Sequence, residues 1–516
     1  MKLFIHTTVL LVVCLLRISV TAQQQDKNKS RTLIVFFDGL RPDYITNETM
    51  PNLYAFKQRG AYGKEHHSVF PTVTRVNASS YATGSYPGTH GLLGNSVYFP
   101  EVSNNTSLNT GDAKDLDKIV SATNGHLLTS ISLGEILQSQ GKRMMVFSSG
   151  STGQAMMQNH TVSGGAIINP SLIRPESMKD DVINNVGPIP ANEEKGSLTK
   201  HKWAADALIY YGLADNGPAV SAIWFSDPDG TAHSDGIGSA TAMASIKYVD
   251  EQFGRILAEI EKRGLSNSIN IIISTDHGFV THAGKQGLQE FLIAEGFKKD
   301  KTSDDVVLAG GAIYIKDQDK ALAQKIITAL QSQEWVGAIF TKGKKKGDNK
   351  GWAEGTLSYE SIHWDHERSA DILVDVNWDD QKNSAGYEGR SYSRGVAGHG
   401  SLSPYEVKIP LIVSGPAFKK ATETDLPTSN VDIVPTILHL QGIAIPKSMD
   451  GRVMFELLAD TKAPATAVKK EVLTTEVKAA WGTYQLQLER SVMGKYQYVN
   501  FSKVKRVVAS ANAGSR

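Results

Sequence analysis

Short, wholly apolar runs recur along the chain and alternate with stretches in which apolar residues return at helical spacing. "TLIVFFDGL" reads as a strand ending at Asp38, and "RMMVFSSG", "PAVSAIWFSDPDG", "SINIIISTDHG" and "VKIPLIVSGP" have the same build. Runs with no polar alternation suit strands buried on both faces. Between them, "MPNLYAFKQRG", "ISLGEILQSQG", "ATAMASIKYVDEQFGRILAEIEKRG" and "SNVDIVPTILHLQGI" carry the helical period, the first stopping at Gly60 and the third at Gly264. Strands alternating with helices predict an α/β fold, a mostly parallel central sheet sandwiched by helices.

The pattern changes twice. From about residue 280 to 397 it turns irregular and polar, with the lysine cluster "KGKKKGDNKG", and reads as an insertion over the carboxyl edge of the sheet. From residue 466 to 516, "YQLQLERSV" and "KYQYVNFSKV" predict a C-terminal β-hairpin or small β appendage. Residues 1–22 supply Lys2, an apolar stretch from Val9 to Leu16 and the small-residue site Val20-Thr21-Ala22. The stretch is far shorter than the ~20 residues of a membrane span, so a cleaved secretory signal is expected, placing the protein outside the cell or in a periplasm. Residues 23–465 remain as the main domain, and no membrane contact is expected once the leader is gone.

Composition narrows the chemistry. The 516 residues are 41% hydrophobic and 21% charged, ordinary for a globular protein, with a formal charge of +1. Loss of Lys2 and Arg17 with the leader leaves 52 basic and 53 acidic residues. Nothing in that balance favours a nucleic-acid polymer or an anionic membrane. The single cysteine, Cys14, lies in the leader, so disulfides, thiolate ligands and a cysteine nucleophile are excluded from the mature chain. A transition-metal site would have to use histidine and carboxylates.

Three apolar strands end in acidic turns: Asp38 after "LIVFF", Asp227 and Asp229 after "SAIWFS", and Asp276-His277 after "IIIST". Ligands of open α/β sheets bind outside the carboxyl ends of the strands. Carboxylates gathered at that edge repel one another unless cations neutralise them. His233 follows in the same loop as Asp229, and His399, in "AGHGS", precedes the strand "VKIPLIVSG". Such a set suits Zn²⁺ and is large enough for two ions. His282, His363 and His366 compete for the second nitrogen position; the glycines flanking His399 favour it. Singly, each residue also has a structural explanation, since Asp227-Pro228-Asp229-Gly230 is ordinary turn chemistry.

In "VFPTVTRVNASSYATG", Thr74 sits where a loop turns into a helix. Exposed N–H groups there receive anions, and a metal-bound hydroxyl loses its proton near neutral pH. The local pattern equally describes a threonine N-cap. Taken in order, Asp38, "FPTVT", "SDPDGTAH", "STDHG" and "GHG" resemble the nucleotide pyrophosphatase/phosphodiesterase family of the alkaline phosphatase superfamily, over residues 31 to 455. The resemblance implies an alkaline phosphatase-like domain with two zinc ions, Asp38, Thr74, Asp276 and His277 around one and Asp229, His233 and His399 around the other. It implies Thr74 as nucleophile, Asn95 as phosphoryl hydrogen-bond donor, a phospho-threonine intermediate and a small-molecule phosphate ester as substrate.

Here Arg75 follows the nucleophile, where nucleotide-hydrolysing members often carry the phenylalanine that holds the base. A guanidinium pairs better with a second negative charge than with a nucleobase. Phosphate monoesters, phosphonates and anionic diesters therefore stand beside nucleotides as candidate substrates. A sulfatase is disfavoured, because the position of the nucleophile holds Thr74 and the chain has no Cys/Ser-x-Pro-x-Arg signature. A non-catalytic binding protein that retained the fold is the alternative of another class.

Overall fold

The computed structural model describes residues 31–191, 198–463 and 465–508. The leader, with Cys14, lies outside the described residues.

A ten-stranded sheet forms the centre. In chain order its main strands are β1 (Arg31–Phe37), β2 (Ala61–His67), β3 (Met144–Ser148), β4 (Ala166–Asn169), β5 (Leu172–Arg174), β6 (Val220–Phe225), β7 (Ile269–Ser274), β8 (Lys408–Ser414) and β9 (Thr422–Thr424). In space they run β9-β2-β8-β7-β1-β6-β3-β4-β5. The strands from β7 to β4 in that order are all parallel, and β8 is antiparallel to both neighbours. All six residues of β6 and of β7 are buried, as are Thr32 to Phe37 of β1.

The helices that cover the two faces include α1 (Pro51–Arg59), α2 (Thr74–Thr83), α3 (Leu133–Ser139), α4 (Thr199–Ala207), α5 (Ala240–Lys262) and α6 (Ile433–Leu440). Successive side chains of a strand point to opposite faces. Ile34 and Phe36 accordingly pack with Tyr81 of α2, Leu137 of α3 and Ile437 of α6. Leu33, Val35 and Phe37 pack with Phe56 of α1, Trp203 of α4 and Phe253 of α5.

Parallel register decides what the carboxyl edge carries. Phe37 pairs with Phe225, and Phe36 with Ser274. The turns after β6, β1 and β7 therefore leave the sheet side by side at one level, with Asp38 in the middle.

The stretch between Phe279 and Gly398 is ordered, where the residue pattern suggested irregular chain. Val306–Ala309, Ala312–Ile315, Val336–Thr341, Leu357–Ser358 and Ile372–Val376 form a five-stranded sheet, and the helix Lys320–Gln331 packs on it through Ile326, Ile327 and Leu330. Its strands are short and mostly antiparallel, so no single run stands out in the sequence. The C-terminal segment holds three long antiparallel strands, Val468–Ala479, Gly482–Met493 and Tyr496–Val508, rather than a hairpin. The first, "VKKEVLTTEVKA", is too charged to read as a strand; pairing with its neighbour makes it one. This unit packs Tyr484, Leu486 and Leu488 against Phe340, Tyr359 and Trp364.

Candidate metal centre

Asp38 caps β1 and is 4% exposed. Its Oδ2 accepts a hydrogen bond from the indole N–H of Trp224 on β6, at 2.9 Å. Asp276 and His277, at the end of β7, are fully buried. Asp276 Oδ1 accepts from the Gly39 N–H at 3.1 Å, clasping two neighbouring strand ends. Gly39 has a φ of +72°, and a Cβ there would stand 3.2 Å from the Asp229 backbone, so the close approach requires glycine. Asp229 opens a short helix, Asp229–Asp235, and its N–H donates to the Asp38 carbonyl at 2.9 Å. His233 lies one turn on, on the same helix face.

Three imidazoles are held alike. Nδ1 of His233 faces the Ala397 carbonyl at 2.9 Å, that of His277 its neighbour's Gly278 carbonyl at 2.9 Å, and that of His399 the Thr72 carbonyl at 2.8 Å. A carbonyl only accepts, so Nδ1 carries the proton and Nε2 keeps its lone pair. All three Nε2 atoms turn toward the carboxylates. Asp229 Oδ1 lies 3.3 Å from His233 Nε2, 3.2 Å from His399 Nε2 and 4.0 Å from His277 Nε2. His277 Nε2 also stands 3.0 Å from Asp276 Oδ2 and 3.6 Å from Asp38 Oδ1.

Lone pairs thus face lone pairs. Asp38 Oδ1, Asp229 Oδ1 and Asp276 Oδ2 are buried and receive no hydrogen bond. Burial and the charges of Asp276 and Asp229 push Asp38 well above the usual carboxylate range. Burial opposes ionisation of Asp229 too, but protons taken up at Nε2 of His233 and His399 would outweigh it and hold that group well below the range. Burial pushes His399 down to about 4. Orphaned oxygens and converging Nε2 atoms are the donor set a divalent cation satisfies. Two trios offer ligand atoms all within 4.8 Å of one another, Asp229–His233–His399 and Asp38–Asp229–His277. Asp229 thereby reaches both halves of the cluster.

Thr74 stands at its edge. Thr74 is the first helical residue of α2, after an extended Val73, and no side chain caps that helix. The hydroxyl is therefore not consumed as an N-cap. It is 3.3 Å from His277 Nε2. Thr72, by contrast, is fully buried and donates to the Ser401 carbonyl at 2.8 Å and to Glu406 at 3.0 Å. The Arg75 N–H donates to Asn95 Oδ1 at 3.0 Å, which orients the Asn95 amide and leaves its Nδ2 as a donor. His363 and His366 lie elsewhere, the first stacked on Tyr86 at 4.1 Å and the second against Thr129. His282 gives its Nδ1 to the Arg394 carbonyl and stays outside both trios.

The sequence-specific family model for type I phosphodiesterase / nucleotide pyrophosphatase matches residues 32–398, from β1 to the residue before His399. The chain belongs to that family. Bis(5'-adenosyl)-triphosphatase enpp4 of Xenopus laevis is 26% identical over 273 residues, 52% of each chain. Ectonucleotide pyrophosphatase/phosphodiesterase family member 3 of Bos taurus is 24% identical over 422 residues, 79% of this chain and 42% of its own. The chain spans about half the length of these relatives. Among solved structures, murine ectonucleotide pyrophosphatase/phosphodiesterase 5 superposes with a TM-score of 0.59 at 17% identity, covering 83% of this chain and 100% of its own. The fold is accordingly alkaline phosphatase-like, with a large, mostly parallel central sheet.

Other contributors to the centre carried no sequence signal. Glu406 is fully buried, and its Oε2 accepts from the N–H groups of Gly400 at 2.5 Å and Ser401 at 2.7 Å, pinning the loop that bears His399. His201 joins Ser149 Oγ, 2.8 Å from its Nδ1, to Asp227 Oδ2, 2.8 Å from its Nε2. Asp227 also accepts from Thr231 N–H and Oγ, so it braces the Asp229 loop and does not face the cluster.

Proposed function

We propose that the protein is a secreted, two-zinc phosphodiesterase that hydrolyses phosphoric esters through a phospho-threonine intermediate. The observation that carries this is the Thr74 hydroxyl, 4% exposed and 3.3 Å from His277 Nε2, beside carboxylate oxygens that no hydrogen bond satisfies. Asp38, Thr74, Asp276 and His277 would hold one zinc ion and Asp229, His233 and His399 the other, with Asp229 near enough to serve both. Bound there, the ions supply positive charge to a nucleophile and a leaving oxygen in line across phosphorus.

Thr74 Oγ gives its proton to water and attacks phosphorus; the Oγ–P bond forms as the P–O bond breaks, and the leaving oxygen takes a proton from water to depart as the alcohol. Water then cleaves the Thr74 ester, returning the hydroxyl and releasing the phosphate product. Asn95, its amide locked by the Arg75 N–H, donates Nδ2 to a phosphoryl oxygen. Export rests on residues 1–22, and N-terminal sequencing of the exported protein checks it: a start at residue 23 is expected.

Thr74→Ala tests the nucleophile. Turnover of bis-p-nitrophenyl phosphate should fall by about 10⁴-fold or more, the scale seen when a covalent nucleophile is removed. Bound zinc should stay near the wild-type content, because the histidines and carboxylates remain. Turnover surviving the substitution refutes the intermediate. Wild-type rates that strongly favour p-nitrophenyl phosphate over the diester would make the protein a monoesterase instead. Metal analysis finding no zinc would favour a binding protein.

A further inference from the structure

Beside Thr74 a cavity of about 340 Å³ opens over the carboxyl ends of β1, β3, β4 and β6. We propose that this cavity binds a second anionic group carried by the substrate, on a small hydroxylated body rather than a nucleobase; the proposal rests on the phosphoester-hydrolase function above. Thr74, Asp38 and Asp229 form its reactive side. Among the described residues, no aromatic side chain lines the rest, and Pro170 is the one aliphatic side chain there. A nucleobase would find no ring to stack on and no apolar wall to leave water for.

What lines the cavity is an excess of donors. Arg75 Nε is buried without a hydrogen-bond partner. Its guanidinium packs on Gly111, where a Cβ would come within 3.3 Å of Nη2, so the side chain is confined there. Gln154 is 1% exposed; its Oε1 accepts from Ser148 Oγ at 2.6 Å, which leaves Nε2 as a buried donor with nothing to receive it. Lys200, at the start of α4, adds a second cation from another wall. Asp38, Asp229 and Asp276 act on Arg75 through space without a hydrogen bond, and Asp227 lies near Lys200. Buried donors without acceptors are costly, and a carboxylate or phosphate supplies several acceptor oxygens at once. Ser149 and Ser151 add hydroxyls suited to a polyhydroxy body. Among the described residues lining the cavity, Asp38 and Asp229 are the only carboxylates, so the complement to the two cations on the far side is an anion beyond the scissile phosphate.

Competitive inhibition of bis-p-nitrophenyl phosphate hydrolysis by the zinc-loaded full chain reads this directly. The probes are 3-phosphoglycerate, glycerol 3-phosphate and AMP, which share a phosphate and differ in a second anion or a base. Binding of 3-phosphoglycerate should be about tenfold tighter than of glycerol 3-phosphate, as expected of one added charge-assisted contact. AMP should bind no tighter than glycerol 3-phosphate. In Lys200→Gln, and separately in Arg75→Gln, that tenfold preference should shrink toward about one. Equal binding of the first two probes, AMP as the tightest, or a preference unchanged in both variants overturns the subsite. Titration calorimetry with the same probes gives the ratio independently of turnover. A protein that fails to hydrolyse the diester yet prefers 3-phosphoglycerate would sink the hydrolase function and leave the anion subsite standing.

Discussion

Replacing Glu406 by alanine should loosen zinc without touching any proposed ligand. The carboxylate is fully buried, and burial holds it above the usual range. It accepts from Gly400 N–H, Ser401 N–H and Ser401 Oγ at 2.5, 2.7 and 2.5 Å, and from Thr72 Oγ1 at 3.0 Å. Thr72 in turn gives its carbonyl to His399 Nδ1 at 2.8 Å. Truncation orphans two backbone donors, each costing about 1–3 kcal/mol, while relief of the buried charge returns part of that. A net loss of about 2–4 kcal/mol follows, concentrated in the loop that carries His399. Glu406→Gln keeps one acceptor oxygen for the two N–H groups and turns its amide to Ser401 Oγ, so the loss should stay near 1 kcal/mol. Zinc affinity, measured by competition with a fluorescent chelator, should fall about 10–100-fold in the alanine variant and less in the glutamine variant. The urea midpoint of the zinc-free protein should drop in the same order. An alanine variant that binds zinc as tightly as wild type refutes the claim that Glu406 positions His399.

Trp224→Phe removes the donor to Asp38 Oδ2 while keeping a ring to stack on Phe36, at 4.5 Å in the native pair. Zinc affinity should fall about tenfold, and an unchanged affinity shows that the indole N–H does not tune Asp38. Burial pushes His66 and His90 each down to about 3, from 6.5. Both stay neutral in the fold while the unfolded chain takes up protons, so stability is whole above pH 6.5 and is lost as pH falls from there toward 3. Each contributes about 1.4 kcal/mol per pH unit in that window, and a urea midpoint that is flat between pH 6.5 and 4 contradicts the assignment. Three of the seven Asn-x-Ser/Thr sites, Asn77, Asn159 and Asn500, are buried. Glycan mapping after expression in a glycosylating host should find them unmodified; a glycan on Asn77, which bonds Val69, would contradict the local structure.

The residue pattern alone determined the sheet, because strands buried on both faces must be apolar throughout and Leu33–Phe37, Ala222–Phe225 and Ile271–Ile273 leave no other use for such runs. It also placed Asp38, Asp229, Asp276 and His277 at strand ends, since a carboxylate cannot continue a dry core. The absence of cysteine after residue 14 confined any metal to histidine and carboxylate. Only the tertiary structure decided which side chains meet. The parallel register of β6, β1 and β7 set three turns at one height, and His399 joined them through the Thr72 carbonyl, 327 positions away in sequence. Glu406, Trp224 and Gln154 have no local signature, because a buried hydrogen bond is a property of two segments and hydropathy reports one. The five-stranded sheet between Val306 and Val376 and the strand Val468–Ala479 were hidden for the same reason: short or charged strands form when a partner satisfies their backbone, and that partner is fixed by the fold.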